Sequence, residues 1–454
     1  MKFGILPIAA AALTLAGCGG GSAASPGPPV AIGPQSRTFV PRGGERGPSS
    51  GKIQHVVIIV QENRSLNNLF YGFPGARTVR YGYDSHNKRV KIAPIQFETH
   101  WDVGHGSKDF FQACNGTGRI PGTDCRMNGF DKEYAGCGPC PVPHPQYAYV
   151  PGSETKPYFD MGKQYVLADE MFASNFDGSS FVSHQYIIAG QSESSVDWPF
   201  SAWGCPGGPS DKVAIVGPQR QVPDGFEVAC WDTTTLGDEL DKAGLSWGFY
   251  TSQWDVDGGV WSAYQAINHI YNGPDWGKDV ITPQTDFLDD VSKGKLRAVS
   301  WITPTCANSD HAGCFSNTGP SWVAQLVNAV GESQYWDSTA IFVFWDDYGG
   351  WYDPQPPKYL DYDGLGIRIP MLILSAYAKK GHVSHVHYEH GSILKFVEDT
   401  FGLARLSASD SRANSVKDAF DFSKPPRAFV PIQSPYDRAY FMHQPVDLRA
   451  PDPE

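Results

Sequence analysis

A run of five consecutive β-branched apolar residues places the strongest constraint on the fold of this chain. The run covers residues 56–60 and reads Val-Val-Ile-Ile-Val. Such a segment has no polar face to offer to water, so it predicts a strand that is buried on both sides within a parallel sheet. Glu62 and Asn63 follow it closely. Because ligands of open α/β sheets lie at the carboxyl ends of central strands, we expect these two side chains to hold a ligand.

A second apolar strand, predicted over residues 340–345, ends in the same way. Asp346 and Asp347 come directly after it. Adjacent carboxylates raise each other's pKa unless a cation or hydrogen-bond donors compensate for their repulsion. Two strand ends that carry four oxygen ligands therefore predict a metal site, formed by Glu62, Asn63, Asp346 and Asp347. A helix cap beside a solvated acidic turn would explain either motif alone.

Composition sets broad limits on the class of protein. The 454 residues, of which 41% are hydrophobic, can form one large α/β domain with long insertions, and they could also form two or three average domains. The 49 glycines and 36 prolines indicate many loops. The net charge of -12 argues against nonspecific nucleic-acid binding, which needs a basic face, so we expect no nucleic-acid partner.

The first 51 residues are predicted to serve export and tethering. Lys2 precedes an apolar stretch over residues 3–15, and the Leu-Ala-Gly-Cys that ends at Cys18 is similar to a bacterial lipobox. We therefore expect a lipoprotein-type signal peptide over 1–18, a flexible linker rich in Gly, Ser, Pro and Ala over 19–51, and a single catalytic domain over 52–454. The expected location is periplasmic or outer-membrane-associated, with a membrane contact through lipid at Cys18. An ordinary signal peptide is the alternative.

The remaining cysteines suggest disulfides. Eight are left after Cys18, an even number that suits an oxidising compartment. Spacing suggests that neighbours pair, as Cys114 with Cys125, Cys137 with Cys140, Cys205 with Cys230, and Cys306 with Cys314.

A serine pair and several histidines are further candidates for chemistry. Ser179 and Ser180 follow Gly178 and precede an apolar helix that is predicted over residues 186–189. Backbone N–H groups and a helix dipole at that position suit a phosphate or an attacking alkoxide, although a plain N-cap is the alternative. An earlier helix is predicted over 159–167, and a later one over 393–401. The histidines lie in loops or at a helix start, namely His105, His311, His385 and His390. For His105, spacing alone favours an ordinary histidine of a surface loop.

Several segments together resemble the bacterial phosphoesterases that include phospholipases C and acid phosphatases, within the alkaline-phosphatase-like superfamily. The segments fall in the family's order from about residue 53 to 402. They are Glu62–Ser65, Pro157–Ser180, Asp310-His311, Asp346–Asp353 and His385–Glu398.

This resemblance implies a three-layer α/β fold, with a mostly parallel central sheet, helices on both faces and long loop insertions. It also implies phosphoester hydrolysis through a covalent phosphoserine intermediate and one divalent metal ion, whose identity the sequence does not specify. Ser180 would be the nucleophile, and it would share the metal with Glu62, Asn63, Asp346 and Asp347. His105 and His311 would face the phosphate, with His385 and His390 as further candidates.

The chain departs from the family in three places. Gly-Ser-Ser-Phe-Val-Ser at 178–183 stands where the phospholipase branch has Gly-Pro-Thr-x-Pro-Asn, so Ser179 stays open as the nucleophile. Asp347 stands where the family has glutamate. Ala312 stands where some members have histidine.

The expected function is therefore that of a metal-dependent phosphoric ester hydrolase of acid phosphatase or phospholipase C type. Its substrate would be a phosphoester small molecule or a phospholipid head group. The alternative is a noncatalytic surface lipoprotein that binds glycans or a protein partner on the same fold. A sulfatase-like esterase is a third option, but the loop over residues 178–183 contains no cysteine to act as a formylglycine precursor.

Overall fold

A computed structural model of the chain describes residues 51–200, 202–252, 261–447 and 449. The predicted signal peptide over 1–18, with Cys18, and all of the predicted linker over 19–51 except Gly51 lie outside the described residues. The division into a linker and one catalytic domain therefore stays a prediction.

Nine of the described strands have three residues or fewer, and these lie outside the large sheet or at its edges. In chain order the strands are β1 His55–Gln61, β2 Tyr81–Tyr83, β3 Arg89–Lys91, β4 Ala93–Pro94, β5 Ala148–Tyr149, β6 Val166–Phe172, β7 Ser195–Val196, β8 Lys212–Ile215, β9 Phe226–Val228, β10 Trp247–Tyr250, β11 Val280–Ile281, β12 Val299–Ile302, β13 Thr339–Trp345, β14 Arg368–Ser375, β15 His382–Ser384 and β16 Tyr388–Glu389.

The described α-helices are mostly short. In chain order they are α1 Leu66–Leu69, α2 Ser107–Cys114, α3 Lys156–Gln164, α4 Ser180–Ala189, α5 Leu236–Ala243, α6 Asn268–Tyr271, α7 Asp286–Ser292, α8 Gly319–Gly331, α9 His390–Phe401, α10 Ala408–Arg412 and α11 Arg438–Met442.

One large sheet organises the described residues. Its order is β11-β10-β12-β1-β13-β14-β6-β15, and β16 also pairs with β6. β1 is parallel to both of its neighbours, β12 and β13. β14 is antiparallel to β13 and to β6, so β6 again runs in the direction of β1 and β13. The carboxyl ends of β1, β13 and β6 therefore lie along one edge, and the predicted mostly parallel sheet is confirmed.

Helices cover both faces of this sheet, as predicted. Phe342 and Trp345 are three positions apart on β13, so their side chains point to opposite faces. The Phe342 ring packs 5.2 Å from Phe396 of α9, and the Trp345 ring lies 5.0 Å from Tyr158 of α3. α4 packs with α9, whereas α8 packs with α3. The result is the expected three-layer arrangement.

The helix predicted over 159–167 is wrong at its carboxyl end. α3 stops at Gln164, and the fully buried strand β6 begins at Val166. A strand buried on both faces lacks polar alternation, so its apolar residues cannot be told from the end of a helix by periodicity. Pairing decides the outcome, because Leu167 lies opposite Leu372 of β14.

The long segment between α1 and α3 contains α2 and several short strands. All four predicted disulfides are present, namely Cys114–Cys125, Cys137–Cys140, Cys205–Cys230 and Cys306–Cys314.

Among the described residues, no helix combines the length and the apolar character needed to cross a membrane.

Candidate active site

The three strand ends at the shared edge supply the predicted metal ligands and the serine. Glu62 and Asn63 follow β1, Asp346 and Asp347 follow β13, and Ser180 begins α4 on the chain segment that leaves β6. All five side chains are fully buried. The backbone N–H of Asn63 donates to Asp346 Oδ1 at 3.3 Å, which joins the ends of the first two strands. The shared direction of β1, β13 and β6 thus brings together residues from distant parts of the sequence.

Asn63, Ser180 and Asp347 form a triangle of polar atoms. The Nδ2 of Asn63 lies 3.4 Å from Ser180 Oγ and 3.4 Å from Asp347 Oδ2. Ser180 Oγ donates to the same Asp347 oxygen, also at 3.4 Å. These contacts place the Ser180 hydroxyl directly beside the predicted metal ligands.

The two adjacent serines have different surroundings. Ser179 is the N-cap residue of α4, and its hydroxyl donates to Asp177 Oδ2 at 2.7 Å. Burial, followed by the nearby Asp197, raises the pKa of the Asp177 carboxyl to about 7. Because Ser179 is held by Asp177, Ser180 is the serine of this pair whose hydroxyl contacts the predicted ligands.

Two tight backbone turns support this geometry. Asn63 has a φ of 56°, a left-handed conformation that asparagine tolerates better than most residues. Gly349 has a φ of 59°, and a Cβ added there would lie 2.2 Å from the Asn63 carbonyl oxygen. The backbone N–H of Gly349 also donates to Asp347 Oδ1 at 2.7 Å. Gly349, two residues after Asp347, is therefore required for the close approach of the two turns.

His105 contacts the triangle from the side. Its Nδ1 donates to the Val103 carbonyl at 2.7 Å, which directs Nε2 to Asn63 Nδ2, 2.8 Å away. The Gly178 N–H donates to the His105 carbonyl at 2.9 Å, so the serine loop is fixed to the histidine loop. His105 therefore lies beside Asn63 and the serine loop, and its phosphate-facing role stays a prediction.

His311 lies next to His105, with their ring centroids 5.9 Å apart. Its Nδ1 hydrogen-bonds to the Ala312 carbonyl. Asp102 lies behind both rings, because its Oδ2 is 4.0 Å from Nδ1 of His105 and 3.9 Å from Nδ1 of His311. The two imidazoles therefore share one carboxylate on the side away from Asn63.

The loop that carries His311 is held to the sheet. The Gln61 side chain at the end of β1 donates to the Asn308 carbonyl at 3.1 Å and accepts from the Asp310 N–H at 3.0 Å. The Asp310 carboxylate accepts from Trp345 Nε1 at 2.9 Å, and burial raises its pKa to about 7. Together with the Cys306–Cys314 disulfide, these contacts fix the position of His311.

The last two predicted histidines lie in different places. His390 is buried at the start of α9, beside Phe344 of β13, and the Ser174 N–H donates to its Nδ1 at 3.5 Å. Burial lowers the pKa of His390 to about 4, so its imidazole is neutral near pH 7. His385 is 42% exposed and pairs with Asp169 through a 2.7 Å contact. The contacts of His385 therefore place it apart from the serine and the strand-end carboxylates.

The sequence interpretation did not select one further buried histidine of the site. His184 Nε2 lies 2.9 Å from Glu62 Oε1 and 3.8 Å from Asp346 Oδ2. The predicted helix began at residue 186, whereas α4 begins at Ser180. With the correct start, the four-residue separation from Ser180 would have placed His184 on the same helix face.

The donor set fits a divalent cation. Asn63 Oδ1 and Asp346 Oδ2 are buried and accept no hydrogen bond from the described residues, an arrangement that costs free energy unless another partner is bound. A half-turn of the Asn63 amide would exchange its oxygen and nitrogen. Oxygen ligands of one small cation lie roughly 3 Å from one another, close to the spacing of the triangle. Hard oxygen donors of this kind suit a divalent ion.

Comparisons with known proteins agree on one family. The Phosphoesterase family matches residues 53–404. Phospholipase C B of Mycobacterium tuberculosis (strain ATCC 25618 / H37Rv) is 26% identical over 444 residues, which covers 85% of this chain and 81% of that protein. Non-specific phospholipase C1 of Arabidopsis thaliana is 23% identical over 430 residues, which covers 85% of this chain and 74% of that protein.

Solved structures give weaker likenesses. One of them is a protein in the alkaline phosphatase superfamily from Vibrio parahaemolyticus. The match covers 82% of this chain and 73% of that protein, with 11% sequence identity and a TM-score of 0.38. A likeness with that TM-score carries no argument about the chemistry.

Proposed function

The chain belongs to the Phosphoesterase family and is a phosphoric ester hydrolase, and we propose that it requires a divalent metal ion and forms a covalent phosphoserine at Ser180. The observation that carries the proposal is the position of Ser180 Oγ, 3.4 Å from both the Asn63 amide and the Asp347 carboxylate. A serine buried among a row of carboxylates, at the start of a ten-residue helix, suits attack on a bound phosphate.

One divalent ion would be held by the strand-end residues and the serine, namely Glu62, Asn63, Asp346, Asp347 and Ser180. When bound, such an ion lowers the pKa of a coordinated hydroxyl and neutralises charge on phosphoryl oxygens. The unsatisfied oxygens of Asn63 and Asp346 support this assignment.

In the proposed reaction, Ser180 loses its proton to solvent and its Oγ attacks the phosphorus. The bond from phosphorus to the leaving alcohol breaks, and the alcohol oxygen takes a proton from a histidine. Water then attacks the phosphoserine, releases phosphate or a phosphate monoester and restores the serine hydroxyl. His105 and His311 are the proposed phosphate-facing histidines, since His105 contacts Asn63 and His311 lies beside His105.

His385 and His390 are weaker candidates for the proton donor. His385 pairs with Asp169 away from the serine. The imidazole of His390 is neutral near pH 7 because burial lowers its pKa to about 4. A neutral imidazole is a much weaker acid than an imidazolium, so it is poorly suited to protonate a leaving group.

We propose phospholipid head-group release as the main reaction, since the curated relatives described above are phospholipases C. Hydrolysis of small phosphomonoesters is the second candidate. Serine rather than threonine at position 180, as in the acid phosphatase branch, supports it. Attachment to a membrane through Cys18 would suit either substrate, and the four disulfides are typical of an oxidising compartment outside the cytoplasm.

The test is to compare release of phosphocholine from phosphatidylcholine vesicles with release of a dye from a phosphomonoester. Both assays are run with the purified protein, with chelator, and with Mg²⁺, Mn²⁺, Zn²⁺ or Ca²⁺ restored, and Ser180→Ala is the control. We expect turnover that chelator abolishes and that one of the ions restores. Turnover by Ser180→Ala at the rate of the wild type would contradict the proposal. Failure to hydrolyse either ester would favour the noncatalytic lipoprotein.

A further inference from the structure

His184 lies on the helix that carries the proposed nucleophile and reaches the opposite side of the carboxylate cluster. It follows Ser180 by four residues in α4, so the two side chains lie on one face of the helix, about one turn apart. The His184 side chain is 1% exposed. Its Nε2 lies 2.9 Å from Glu62 Oε1 and 3.8 Å from Asp346 Oδ2.

We propose that His184 is a positioning residue for the metal site, an inference that rests on the metal dependence proposed above. Its Nε2–H donates to Glu62 Oε1 and faces Asp346. The contact holds the Glu62 carboxylate through Oε1, so that its second oxygen would be available to a bound metal ion. Hydrogen bonds to metal-ligating carboxylates orient the ligands in this way, and their loss weakens metal binding.

An N–H donor at this position also has an electrostatic role. Glu62, Asp346 and Asp347 are fully buried carboxylates at adjacent strand ends. Like charges in a low-dielectric site repel strongly, so an N–H donor beside two of these carboxylates offsets part of that repulsion. The nearby Arg64 does not serve this purpose through its Nε, which donates to the Asp310 carbonyl at 2.8 Å.

Placing both residues on α4 couples two parts of the site. Any shift of the helix moves the Ser180 hydroxyl and the contact to Glu62 together. The Gly178 N–H, bonded to the His105 carbonyl, limits such a shift at the amino end of the helix. His184 therefore links the position of the nucleophile to the position of two metal ligands.

Three substitutions of His184 distinguish the role of its N–H donor from a role in packing alone. Glutamine places its amide nitrogen near the position of histidine Nε2, whereas asparagine is shorter and places its amide near Nδ1. Because Nε2 is the atom that contacts Glu62, His184→Gln retains the donor and His184→Asn loses it. His184→Leu removes the polar group altogether.

The experiment measures Mn²⁺ and Zn²⁺ binding to the metal-free full-length protein by calorimetry and by competition with a chelator. We expect the dissociation constant to rise about 10- to 100-fold in His184→Asn and His184→Leu, and to stay within about threefold in His184→Gln. His55→Gln is the control, because His55 lies at the other end of β1, about 23 Å along the strand from Glu62. Circular dichroism of each metal-free variant checks that the protein is folded.

The outcomes distinguish this inference from the proposed function. If the wild-type protein binds neither Mn²⁺ nor Zn²⁺, the metal dependence of the proposed function is contradicted, and the proposed role of His184 with it. Wild-type affinity in folded His184→Asn and His184→Leu would overturn the role of His184 alone. If metal binding is weakened equally in His184→Gln and His184→Asn, the proposed role of the His184 N–H is also overturned. The site would then require the whole imidazole ring rather than its N–H donor. If His184→Leu does not fold, the comparison of glutamine with asparagine decides.

Discussion

The Oγ of Ser180 lies 3.4 Å from Oδ2 of Asp347, although 167 residues separate the two along the chain. The contact exists because β13 and β6 point in the same direction on either side of the antiparallel strand β14. The residues that follow the two strands therefore meet at one edge of the sheet. For this member of the Phosphoesterase family, the contact is the main reason to propose Ser180 as the nucleophile.

Replacing the two adjacent serines is expected to give different results. Ser180→Ala removes the attacking oxygen, so we expect kcat to fall by about a thousandfold or more. Ser179→Ala removes the hydrogen bond to Asp177, a contact that typically contributes about 1 kcal/mol to stability, and should leave kcat within about tenfold of the wild type. Steady-state kinetics with a phosphomonoester dye measures both. A larger loss of kcat in Ser179→Ala would assign the nucleophile to Ser179.

Gly349→Ala is expected to weaken metal binding. An added Cβ would lie 2.2 Å from the Asn63 carbonyl oxygen, so Asn63 and the Asp347 turn would have to move apart. Gly402→Ala is the matched control, because Gly402 has a similar φ of 71° and nothing lies within 4 Å of its added Cβ. Both variants carry the same backbone strain, of about 1 kcal/mol. Only Gly349→Ala should raise the dissociation constant for Mn²⁺, and equal affinities would show that the close approach of the turns does not shape the site.

Chelation is expected to lower the thermal midpoint of the wild type. A ligand that binds only the folded protein stabilises it by about 2.7 kcal/mol at a hundredfold excess over its dissociation constant. Removing it also leaves the buried carboxylates to repel one another. Asp347→Asn should show a much smaller shift on chelation, because the variant has lost one ligand and one charge. Differential scanning calorimetry with and without chelator measures the shift, and an equally large shift in Asp347→Asn would place the ion elsewhere.

Stability should depend on pH through Asp363, which lies away from the metal ligands. This carboxyl is buried and accepts from the Tyr186 hydroxyl at 2.7 Å. Burial, opposed by the Tyr186 hydrogen bond, raises the pKa of Asp363 to about 7. In the unfolded chain the pKa of aspartate is about 4, so between about pH 4 and pH 7 the folded state binds more protons. The free energy of unfolding contributed by Asp363 is therefore present below that range and is lost as pH rises through 7.

Asp363→Asn tests this pH dependence. Asparagine keeps an oxygen for the Tyr186 hydroxyl but does not titrate. Urea unfolding at about pH 5 and at about pH 8 should show a smaller loss of stability in the variant than in the wild type. Identical losses in the two proteins would mean that Asp363 is ionised in the folded state throughout this range.

The sequence was most informative where one physical requirement dominates. The apolar runs that form β1 and β13 can only be buried, so both strands, and the positions of Glu62, Asn63, Asp346 and Asp347 at their ends, could be predicted from the sequence. The disulfide partners could be predicted because each cysteine pairs with the next cysteine along the chain.

Other features depend on tertiary contacts that a sequence pattern does not contain. The antiparallel direction of β14 is set by its pairing with β13 and β6, and nothing in an apolar run specifies strand direction. His184 was missed because the start of α4 was placed after it. His385 was a candidate through the resemblance to the phosphoesterases, whereas its partner, Asp169, lies 216 residues away in sequence.

The most direct measurement is to quench the enzyme with acid during turnover and to search for a phosphorylated peptide by mass spectrometry. We predict one phosphoryl group on the Ser180 side chain, present with substrate and absent from Ser180→Ala. Phosphate on Ser179, or steady turnover by Ser180→Ala without any phosphoenzyme, would contradict the account.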